Sequence, residues 1–251
     1  MSETALDIVV PVRNEGTNLV ALCAELRRHV RTTYRLLVCF DRDDDETLPF
    51  VNQLATETAI VTVKNEGRGV LNAVLTGIRH STAPAILVMP ADDTFNAPRL
   101  DAMAARVLAG VDVVCPSRFM PGGCMVGCPW PKSMLVRMAA RFLRRVAAVP
   151  CHDPTNGFRF FSRRVVEQIP VETQSGFAYS LELLVKCHRL GWAIEEYPAE
   201  WLERQVGQSR FRVFRWAPSY LRWVAYALAT RFLRRGPQSV RLRNVAMSKD
   251  A

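Results

Sequence analysis

The chain of 251 residues is 49% hydrophobic and 23% charged, which allows a buried core and argues against a disordered protein. No stretch reaches the roughly 20 consecutive apolar residues that a membrane-spanning helix needs. The net charge is +9, and residues 201–251 alone carry eleven basic and two acidic side chains, which accounts for the whole excess. A basic end of this kind favours an anionic partner, such as a membrane surface, a phosphate-bearing substrate or nucleic acid.

Cysteine content and the N-terminal sequence bear on the compartment. Seven cysteines are an odd number in a chain that is too long to need disulfides, which favours a reduced setting. The first ten residues lack the basic region and the long apolar run of a signal peptide. We therefore predict a cytoplasmic protein, with peripheral contact to the cytoplasmic face of the membrane as an open alternative.

The first half of the chain alternates short apolar runs with helical patterns. Strands are predicted at residues 6–12, 35–40, 59–63, 85–89 and 111–115. The intervening helices are predicted at residues 15–31, 70–80 and about 98–109. Near-continuous apolar strands separated by helices indicate an α/β fold, with a mostly parallel central sheet that helices flank on both faces. In such sheets, ligands bind beyond the carboxyl ends of the strands.

The second half of the chain is less regular and ends in an amphipathic segment. Its predicted elements are a loop at 120–131, helices at 132–149 and 179–190, and strands at 157–162 and 193–197. The amphipathic pattern of residues 213–235 includes the aromatic residues Trp216, Tyr220, Trp223 and Tyr226. We predict one domain of residues 1–211 and a basic, amphipathic helical tail of residues 212–251. The tail either lies on a membrane surface or packs as a core or dimer helix.

Ionisable residues follow four of the predicted strands, at positions 13, 15, 41–46, 92–93 and 118. Carboxylates at such an edge can hold a hard divalent cation or accept hydrogen bonds from a base or ribose. An arginine there can bind phosphate through two parallel N–H bonds. This combination favours a nucleoside diphosphate bound with a metal ion. The alternatives are a solvated acidic turn at 41–46 and a helix N-cap at 92–93.

Seven short motifs occur in a recognisable order. They are Val-Val-Pro-Val-Arg-Asn-Glu-Gly from residue 9, the acidic turn 41–47, Asn-Glu-Gly-Arg-Gly from 65, Ala-Asp-Asp from 91, Ser-Arg-Phe from 117, Asp-Pro-Thr-Asn-Gly-Phe-Arg from 153 and Glu-Arg-Gln-Val-Gly-Gln-Ser from 203. In this order the chain resembles the family-2 inverting glycosyltransferases of the GT-A fold, in particular their dolichol-phosphate mannosyltransferase-like branch. The resemblance runs from about residue 6 to residue 211, and it implies a nucleotide-diphospho-sugar transferase fold.

The resemblance also implies roles for individual residues. The nucleotide would be bound by Pro11, Asn14, Glu15, Asp41, Gly69 and Asp92. The acceptor phosphate would be bound by Arg118, Lys132 and Arg137. The expected catalytic residues are Asp92, Arg118 and Arg204, with Arg204 at the donor diphosphate. For each of these arginines, a plain surface position is the alternative.

The implied metal site would hold Mg²⁺ or Mn²⁺ on Asp92, with Asp93 as a second candidate ligand. The site departs from the family pattern, because Pro90 stands where the first Asp of the Asp-x-Asp motif is expected. Adjacent side chains in an extended segment point in opposite directions, so Asp93 is a poor substitute for the missing carboxylate. The sequence therefore leaves metal dependence open. A zinc site in the cysteine-containing loop is disfavoured, because its spacing matches no common zinc motif.

These features favour an enzyme that moves a sugar from GDP-mannose or a UDP-hexose to a polyprenyl or dolichyl phosphate. No isolated carboxylate follows the fifth strand to act as a base. A phosphate monoester needs none, because its second pKa is about 6 and it is largely dianionic at neutral pH. The alternatives are a saccharide or other hydroxyl acceptor and a catalytically degenerate nucleotide-sugar binding protein. Nucleic acid is not an expected partner, since no recognition motif is found. A homo-oligomer is left open.

Overall fold

The computed structural model of the chain describes residues 4–174, 176–202 and 213–243. The strands of this part are β1 (Leu6–Pro11), β2 (Tyr34–Phe40), β3 (Ile60–Lys64), β4 (Ala85–Val88), β5 (Val113–Ser117), β6 (Cys124–Val126), β7 (Arg159–Ser162), β8 (Ile194–Pro198) and β9 (Glu200–Leu202). The main sheet has the order β3-β2-β1-β4-β7-β5-β8, and β6 pairs with β9 separately. All neighbours in the main sheet are parallel except for β7, which is antiparallel to both β4 and β5.

Helices connect and cover these strands. They are α1 (Gly16–His29), α2 (Leu48–Leu54), α3 (Gly69–His80), α4 (Leu100–Leu108), α5 (Trp130–Arg145), α6 (Arg163–Gln168), α7 (Ala178–Leu190) and α8 (Val213–Phe232). Short 3₁₀ turns occur at Ala97–Arg99 and Pro237–Ser239. Helix α7 ends at Gly191, whose φ of 72° is the left-handed conformation that commonly terminates a helix.

Apolar side chains are buried on both faces of the sheet. In β1, Ile8 belongs to the cluster that includes Leu19 and Leu22 of α1. The neighbouring residue Val9 belongs to the opposite cluster, which includes Val74 of α3 and residues of α7 and α8. Alternate side chains of a strand therefore pack into cores on opposite faces of the sheet. This explains why the sequences of these strands are nearly continuous apolar runs.

The predicted α/β architecture with a mostly parallel, helix-flanked sheet is confirmed. The hydrophobic pattern of residues 157–162 predicts a strand but carries no information on its direction, so the antiparallel orientation of β7 was not foreseen. The short elements α2, α6, β6 and β9 were also not predicted, because three to seven residues are too few for a clear period. No helix in the described ranges is both long and apolar enough to cross a membrane.

Helix α8 packs into the fold, which favours the core alternative for part of the tail. Trp223 is 1% exposed, and its indole N–H donates a hydrogen bond to Thr173 Oγ1 at 2.8 Å. Tyr226 contacts the Trp223 ring edge-on, with 5.5 Å between the ring centroids. Burial in the core is therefore favoured over lipid contact for Trp223. The division of the chain at residue 211 stays a prediction.

Candidate active site

Strand direction brings the predicted site residues to one edge of the sheet. Strands β1, β2 and β4 are parallel, and β5 has the same direction because both β4 and β5 oppose β7. The residues that follow these four strands therefore lie at one edge. The loop 153–158 reaches the same edge, because it enters the reversed strand β7.

The turn after β1 is fixed by the acidic turn after β2. Asn14 has a φ of 56°, a left-handed conformation that asparagine tolerates better than most residues. Its backbone N–H donates to Asp45 Oδ1 at 3.0 Å, and the N–H of Glu15 donates to Thr47 Oγ1 at 2.9 Å. Asp45 Oδ1 also accepts the N–H of Thr47 at 2.9 Å. Asp45 and Thr47 are buried, so this part of the acidic turn is a structural clamp that presents Asn14 and Glu15 beyond Pro11.

Asp41 joins the end of β2 to the start of α3. One oxygen accepts a hydrogen bond from the Asn65 side-chain amide, and the other accepts the Gly69 N–H at 2.9 Å. Gly69 has a φ of 80°, a backbone conformation that favours glycine. Because a carboxylate offers about four lone-pair directions, Asp41 keeps capacity to accept a further hydrogen bond from a ligand.

Asp92 and Asp93 have different surroundings at the end of β4. Asp93 accepts the Asn96 side-chain amide on both oxygens, at 2.8 and 2.9 Å. Asn96 is fully buried and also bonds the backbone N–H and C=O of Glu200, so Asp93 supports a contact to β9. Burial raises the pKa of Asp93 to about 6, against the opposing hydrogen bonds from Asn96. The Asp93 carboxylate therefore has a structural contact with Asn96, and Asp92 is the better candidate for a metal ligand.

Arg118 forms a paired, largely buried contact with Asp153. Its Nε and Nη2 donate to the two carboxylate oxygens at 2.6 and 2.9 Å, and its backbone N–H donates at 3.1 Å. The Arg118 side chain is 11% exposed and Asp153 is fully buried. Burial lowers the pKa of Arg118, but Asp153 outweighs it and leaves that pKa above its usual value. The guanidinium is thus held in one orientation, and part of its charge is already neutralised.

The loop that carries Asp153 is held by a second buried arginine. Arg159 Nη2 donates to the carbonyl oxygens of Asp153, Pro154 and Asn156, at 3.2, 3.3 and 3.1 Å. The Asn156 side-chain amide donates to the Pro116 carbonyl at 3.0 Å, which fixes the loop to the end of β5. The Asp-Pro-Thr-Asn-Gly-Phe-Arg motif is therefore a device that sets the position of Asp153, and through it of Arg118.

Two guanidinium groups lie against the same aromatic ring. The Arg118 Cζ atom is 5.1 Å from the centroid of the Phe119 ring, and the Arg137 Cζ atom is 4.8 Å from it. Lys132 lies nearby in the sequence of α5, with its Nζ 5.1 Å from the Trp201 ring. Attraction between a cation and an aromatic face holds such groups in place without neutralising them. Arg137 and Lys132 thus lie against aromatic rings, whereas Arg118 is held mainly by Asp153.

A groove of about 340 Å³ opens beside Arg137. Its lining mixes apolar and basic side chains of α5 and the preceding loop: Cys128, Trp130, Ser133, Met134, Arg137, Met138 and Arg141. The Arg137 Nε donates to Ser133 Oγ at 3.3 Å. A groove that is lined by apolar side chains and by two guanidinium groups is suited to a ligand with a hydrocarbon part and an anionic head.

Comparison with known proteins settles the family. The model for glycosyl transferase family 2 matches residues 7–170, which is more than half of the chain. The chain belongs to glycosyl transferase family 2. It is a glycosyltransferase, and the matched range contains the ends of β1, β2, β4 and β5 and the loop that carries Asp153.

Curated relatives of this glycosyltransferase act on lipid phosphates, as their names state. The polyprenol monophosphomannose synthase of Mycolicibacterium smegmatis is 26% identical over 212 residues, which cover 81% of this chain and 79% of that protein. The undecaprenyl-phosphate mannosyltransferase of Micrococcus luteus is 25% identical over 209 residues, which cover 80% of this chain and 85% of that protein. The resemblance to the dolichol-phosphate mannosyltransferase-like branch is thereby confirmed.

A solved structure supports the fold. The glucosyl-3-phosphoglycerate synthase of Mycobacterium tuberculosis, in complex with Mn²⁺, UDP and glucosyl-3-phosphoglycerate, has a TM-score of 0.64 to this chain. The match covers 90% of this chain and 79% of that one at 16% sequence identity. At that identity the likeness shows the shared GT-A fold, and ligand roles are not transferred from it.

The structure places most of the predicted site residues of the glycosyltransferase at the one sheet edge, but their roles stay predictions. Asp41 contacts Gly69 directly, and Arg118 and Arg137 share Phe119. Arg204 lies outside the described residues. Sequence reasoning gave no role to Asp153 or Phe119, although both lie in motifs that were recognised. The missing signal is spatial, because Asp153 and Arg118 are 35 positions apart in the chain.

The protein ligands for a metal ion are few. The ranges 4–174, 176–202 and 213–243 contain no group of three or more His, Cys, Asp or Glu residues that could hold a metal ion. Mg²⁺ and related cations are commonly bound through one or two carboxylates together with substrate phosphates. Asp92 fits that donor set as the single protein carboxylate. Asp93 is the weaker candidate, because its carboxylate already holds Asn96 in the contact to β9.

Proposed function

We propose that this glycosyltransferase transfers mannose from GDP-mannose to a polyprenyl phosphate. The two relatives named above support the sugar and the acceptor class through their names. Between the GDP and UDP alternatives, we propose GDP as the nucleotide of the donor. We place the reaction at a membrane surface, because a lipid-borne acceptor has to be reached there, and at its cytoplasmic face, in keeping with the reduced setting that the cysteine content favours.

The observation that carries the proposal is the pairing of cationic and apolar surfaces beside Phe119. Arg118 and Arg137 lie on that ring, and the groove next to Arg137 is lined by Trp130, Met134 and Met138. A phosphate monoester can accept charge-assisted hydrogen bonds from the guanidinium groups. A hydrocarbon chain attached to it can follow the apolar groove. A sugar hydroxyl acceptor would leave both features unused.

The chemistry of a phosphate acceptor agrees with the carboxylates present. An oxygen of the acceptor phosphate attacks the anomeric carbon of mannose, and the bond from that carbon to the diphosphate oxygen breaks with its electron pair leaving on GDP. The attacking oxygen is already deprotonated, so no base is needed. Asp153 is a poor base in any case, because both of its oxygens accept hydrogen bonds from Arg118. A hydroxyl acceptor would need such a base.

The leaving diphosphate requires positive charge. We propose that Asp92 holds Mg²⁺ or Mn²⁺ together with the donor phosphates, where the cation would stabilise the charge that develops on the diphosphate. Arg204 is proposed to contact the same diphosphate. Pro11, Asn14, Glu15, Asp41 and Gly69 are proposed to line the nucleotide pocket, which the clamp of Asp45 and Thr47 would keep in shape.

A product assay tests the proposal directly. The enzyme is incubated with radiolabelled GDP-mannose or UDP-glucose and with polyprenyl phosphate, dolichol or mannose as the acceptor, with and without EDTA. We expect label in the lipid fraction only for GDP-mannose with polyprenyl phosphate, and we expect EDTA to abolish it. Transfer to free dolichol or mannose would instead support the hydroxyl-acceptor alternative. Absence of binding to either nucleotide sugar in calorimetry would refute the proposed donor site.

A further inference from the structure

Helix α5 exposes an unusually large apolar surface. Of its sixteen residues only Ala140 and Leu143 are buried. Its apolar side chains that face outward are Trp130, Met134, Leu135, Met138 and Phe142, which are between 41% and 74% exposed. In contrast, the exposed apolar residues Val20, Val61, Phe95 and Leu108 are distributed singly over other elements. Contiguous apolar surface of this kind marks an interaction site.

A basic row runs beside the apolar row. Trp130, Met134, Met138 and Phe142 are spaced by four residues, which places them along one ridge of the helix. Arg137, Arg141 and Arg145 have the same spacing and form the adjacent ridge. Residues 118–152 contain six lysine and arginine side chains and no aspartate or glutamate. The segment that contains α5 is therefore rich in exposed apolar side chains and carries only basic charges.

The end of α8 extends this surface. Arg231 Nη1 donates to the carbonyl oxygens of Arg145 and Val146 at 2.6 and 3.2 Å, which places the end of α8 beside the end of α5. Phe232 and Leu233 there are 61% and 67% exposed. We call the combined surface the α5 face; it consists of Trp130, Met134, Leu135, Met138, Phe142, Phe232 and Leu233 with the neighbouring arginines.

We propose that the α5 face docks the enzyme on an anionic lipid bilayer. Apolar side chains enter the boundary between headgroups and acyl chains, while the arginines contact anionic headgroups, as for other interfacial amphipathic helices. Trp130 suits this boundary, because its indole ring is apolar and carries one polar N–H. A second copy of the chain is a poor occupant, since two uniformly cationic faces would repel each other.

The docking surface is centred on α5 and includes Phe232 and Leu233 from the end of the tail that the sequence suggests, and it goes beyond the proposed function. Vesicle binding requires neither a donor nor turnover. If the proposed acceptor is correct, the docking has a consequence for access. The groove beside Arg137 is lined by Trp130, Met134 and Met138, so it would open toward the bilayer, and a polyprenyl phosphate could enter without leaving the lipid phase.

Flotation with vesicles tests the docking, using the full-length enzyme without donor. Vesicles contain phosphatidylcholine alone or with about 30% phosphatidylglycerol, at about 0.1 M salt, where surface electrostatics are only partly screened. We expect the enzyme to float with the anionic vesicles, and at least about tenfold less with neutral vesicles. Failure of the wild-type enzyme to float with anionic vesicles would overturn the proposal, even if mannosyl transfer to a detergent-dispersed acceptor is observed.

Two matched pairs of substitutions locate the surface. Leu135→Ser with Phe142→Ser alters the α5 face at positions that are 51% and 41% exposed. Leu108→Ser with Phe95→Ser alters residues that are 46% and 42% exposed elsewhere. We expect the first pair to lower the vesicle partition coefficient about tenfold or more and the second pair to leave it unchanged. Equal effects of the two pairs on vesicle binding would contradict the proposal. So would a wild-type dimer in solution that only the first pair of substitutions dissociates into monomers.

A spectroscopic readout covers the case in which a substitution disturbs folding. Brominated lipids quench tryptophan fluorescence on contact, and Trp130 is 74% exposed whereas Trp223 is 1% exposed. We expect brominated anionic vesicles to quench the wild-type enzyme and to quench Trp130→Phe much less, although this variant still floats. Undiminished quenching in Trp130→Phe would show that another surface meets the lipid.

Discussion

Arg137 offers a cleaner test of acceptor binding than Arg118. Removing Arg118 would leave the fully buried Asp153 without the guanidinium that neutralises it, so a loss of activity could reflect misfolding. Arg137 is held by the Phe119 ring and Ser133, and the described part of the chain shows no ion pair between it and an acidic residue. The substitution Arg137→Gln would therefore remove one charged hydrogen-bond donor from a phosphate bound at Phe119. It would leave no buried carboxylate unpaired.

For Arg137→Gln we expect the KM for polyprenyl phosphate to rise about tenfold to a hundredfold, the usual range for one charge-assisted hydrogen bond. The Kd for the nucleotide sugar should remain unchanged. Steady-state kinetics and donor calorimetry measure the two quantities. Arg144→Gln is the matched control, because Arg144 is an exposed arginine of the same helix that does not line the groove. Equal KM values in the two variants would argue against an acceptor site at Phe119.

Gly123 is a position where the space, and not the dihedral angle, demands glycine. A Cβ atom there would lie 2.2 Å from the Ser117 carbonyl oxygen and 3.0 Å from the Arg118 carbonyl carbon. We expect Gly123→Ala to lower the free energy of unfolding by about 3 kcal/mol, because backbone atoms must move, and to raise the acceptor KM by displacing Arg118. Gly69→Ala meets nothing within 4 Å, so only its positive φ opposes it, by about 1–2 kcal/mol. Urea unfolding distinguishes the two, and equal losses would contradict this ranking.

Helix α7 carries a buried ion pair whose disruption should be costly. Lys186 is 1% exposed and donates to Glu182, Glu172 and the Pro170 carbonyl at 2.7 to 2.8 Å. We expect Lys186→Met to destabilise the enzyme by about 3–5 kcal/mol, since Glu182 would be left buried and charged. Adding Glu182→Gln should recover part of this loss. Arg27→Met breaks a pair with Glu57 whose side chains are 34% and 65% exposed, so it should cost under about 1 kcal/mol. Urea unfolding of all three variants measures these values.

The same helix should contribute to loss of stability in acid. Burial lowers the pKa of His188 below its ordinary value of about 6.5, so the unfolded chain takes up a proton at a higher pH than the folded enzyme does. The contribution is complete above the unfolded pKa and is lost as the pH falls through it toward the folded pKa. Between about pH 7.5 and 5.5, the free energy of unfolding should therefore fall more in the wild-type enzyme than in His188→Gln. Parallel pH profiles would contradict this account.

The sequence predicts elements better than it predicts which of their faces are buried. The alternating apolar runs predict the parallel strands and their site-bearing ends, because burial on both faces leaves a clear pattern. For α5, the Met, Leu and Phe residues predict a helix equally well whether they face a core or lie outside. The Arg118–Asp153 pair was not predicted either, because it depends on the reversed strand β7. Such contacts depend on the three-dimensional path of the chain, and the local sequence pattern carries no information on them.

Charge distribution over the whole molecule also needs the structure to be interpreted. The sequence assigns the entire +9 excess to residues 201–251. Residues 118–152 contain six basic side chains and no acidic ones. Acidic residues elsewhere in the first 200 cancel these charges in the net charge of that part of the chain. The structure places Arg137, Arg141 and Arg145 of this segment on α5 and the end of α8 beside that helix. Local charge, more than net charge, thus identifies the proposed lipid surface.

The C-terminal helix contributes to the folding of the whole enzyme, which constrains how the tail can be tested. Trp223 and Ala227 belong to the cluster that also contains Val9 and Val74, so deletion of residues 213–251 would open this core as well as remove basic charge. We expect Trp223→Ala to lower the free energy of unfolding by about 3–5 kcal/mol, through loss of burial and of the hydrogen bond to Thr173. Leu221→Ala, at a position of the same helix that is 64% exposed, should change it by less than about 0.5 kcal/mol. Thermal and urea unfolding of both variants measure these changes. If Trp223→Ala retained wild-type stability but lost vesicle binding, α8 would act at the membrane instead of in the core.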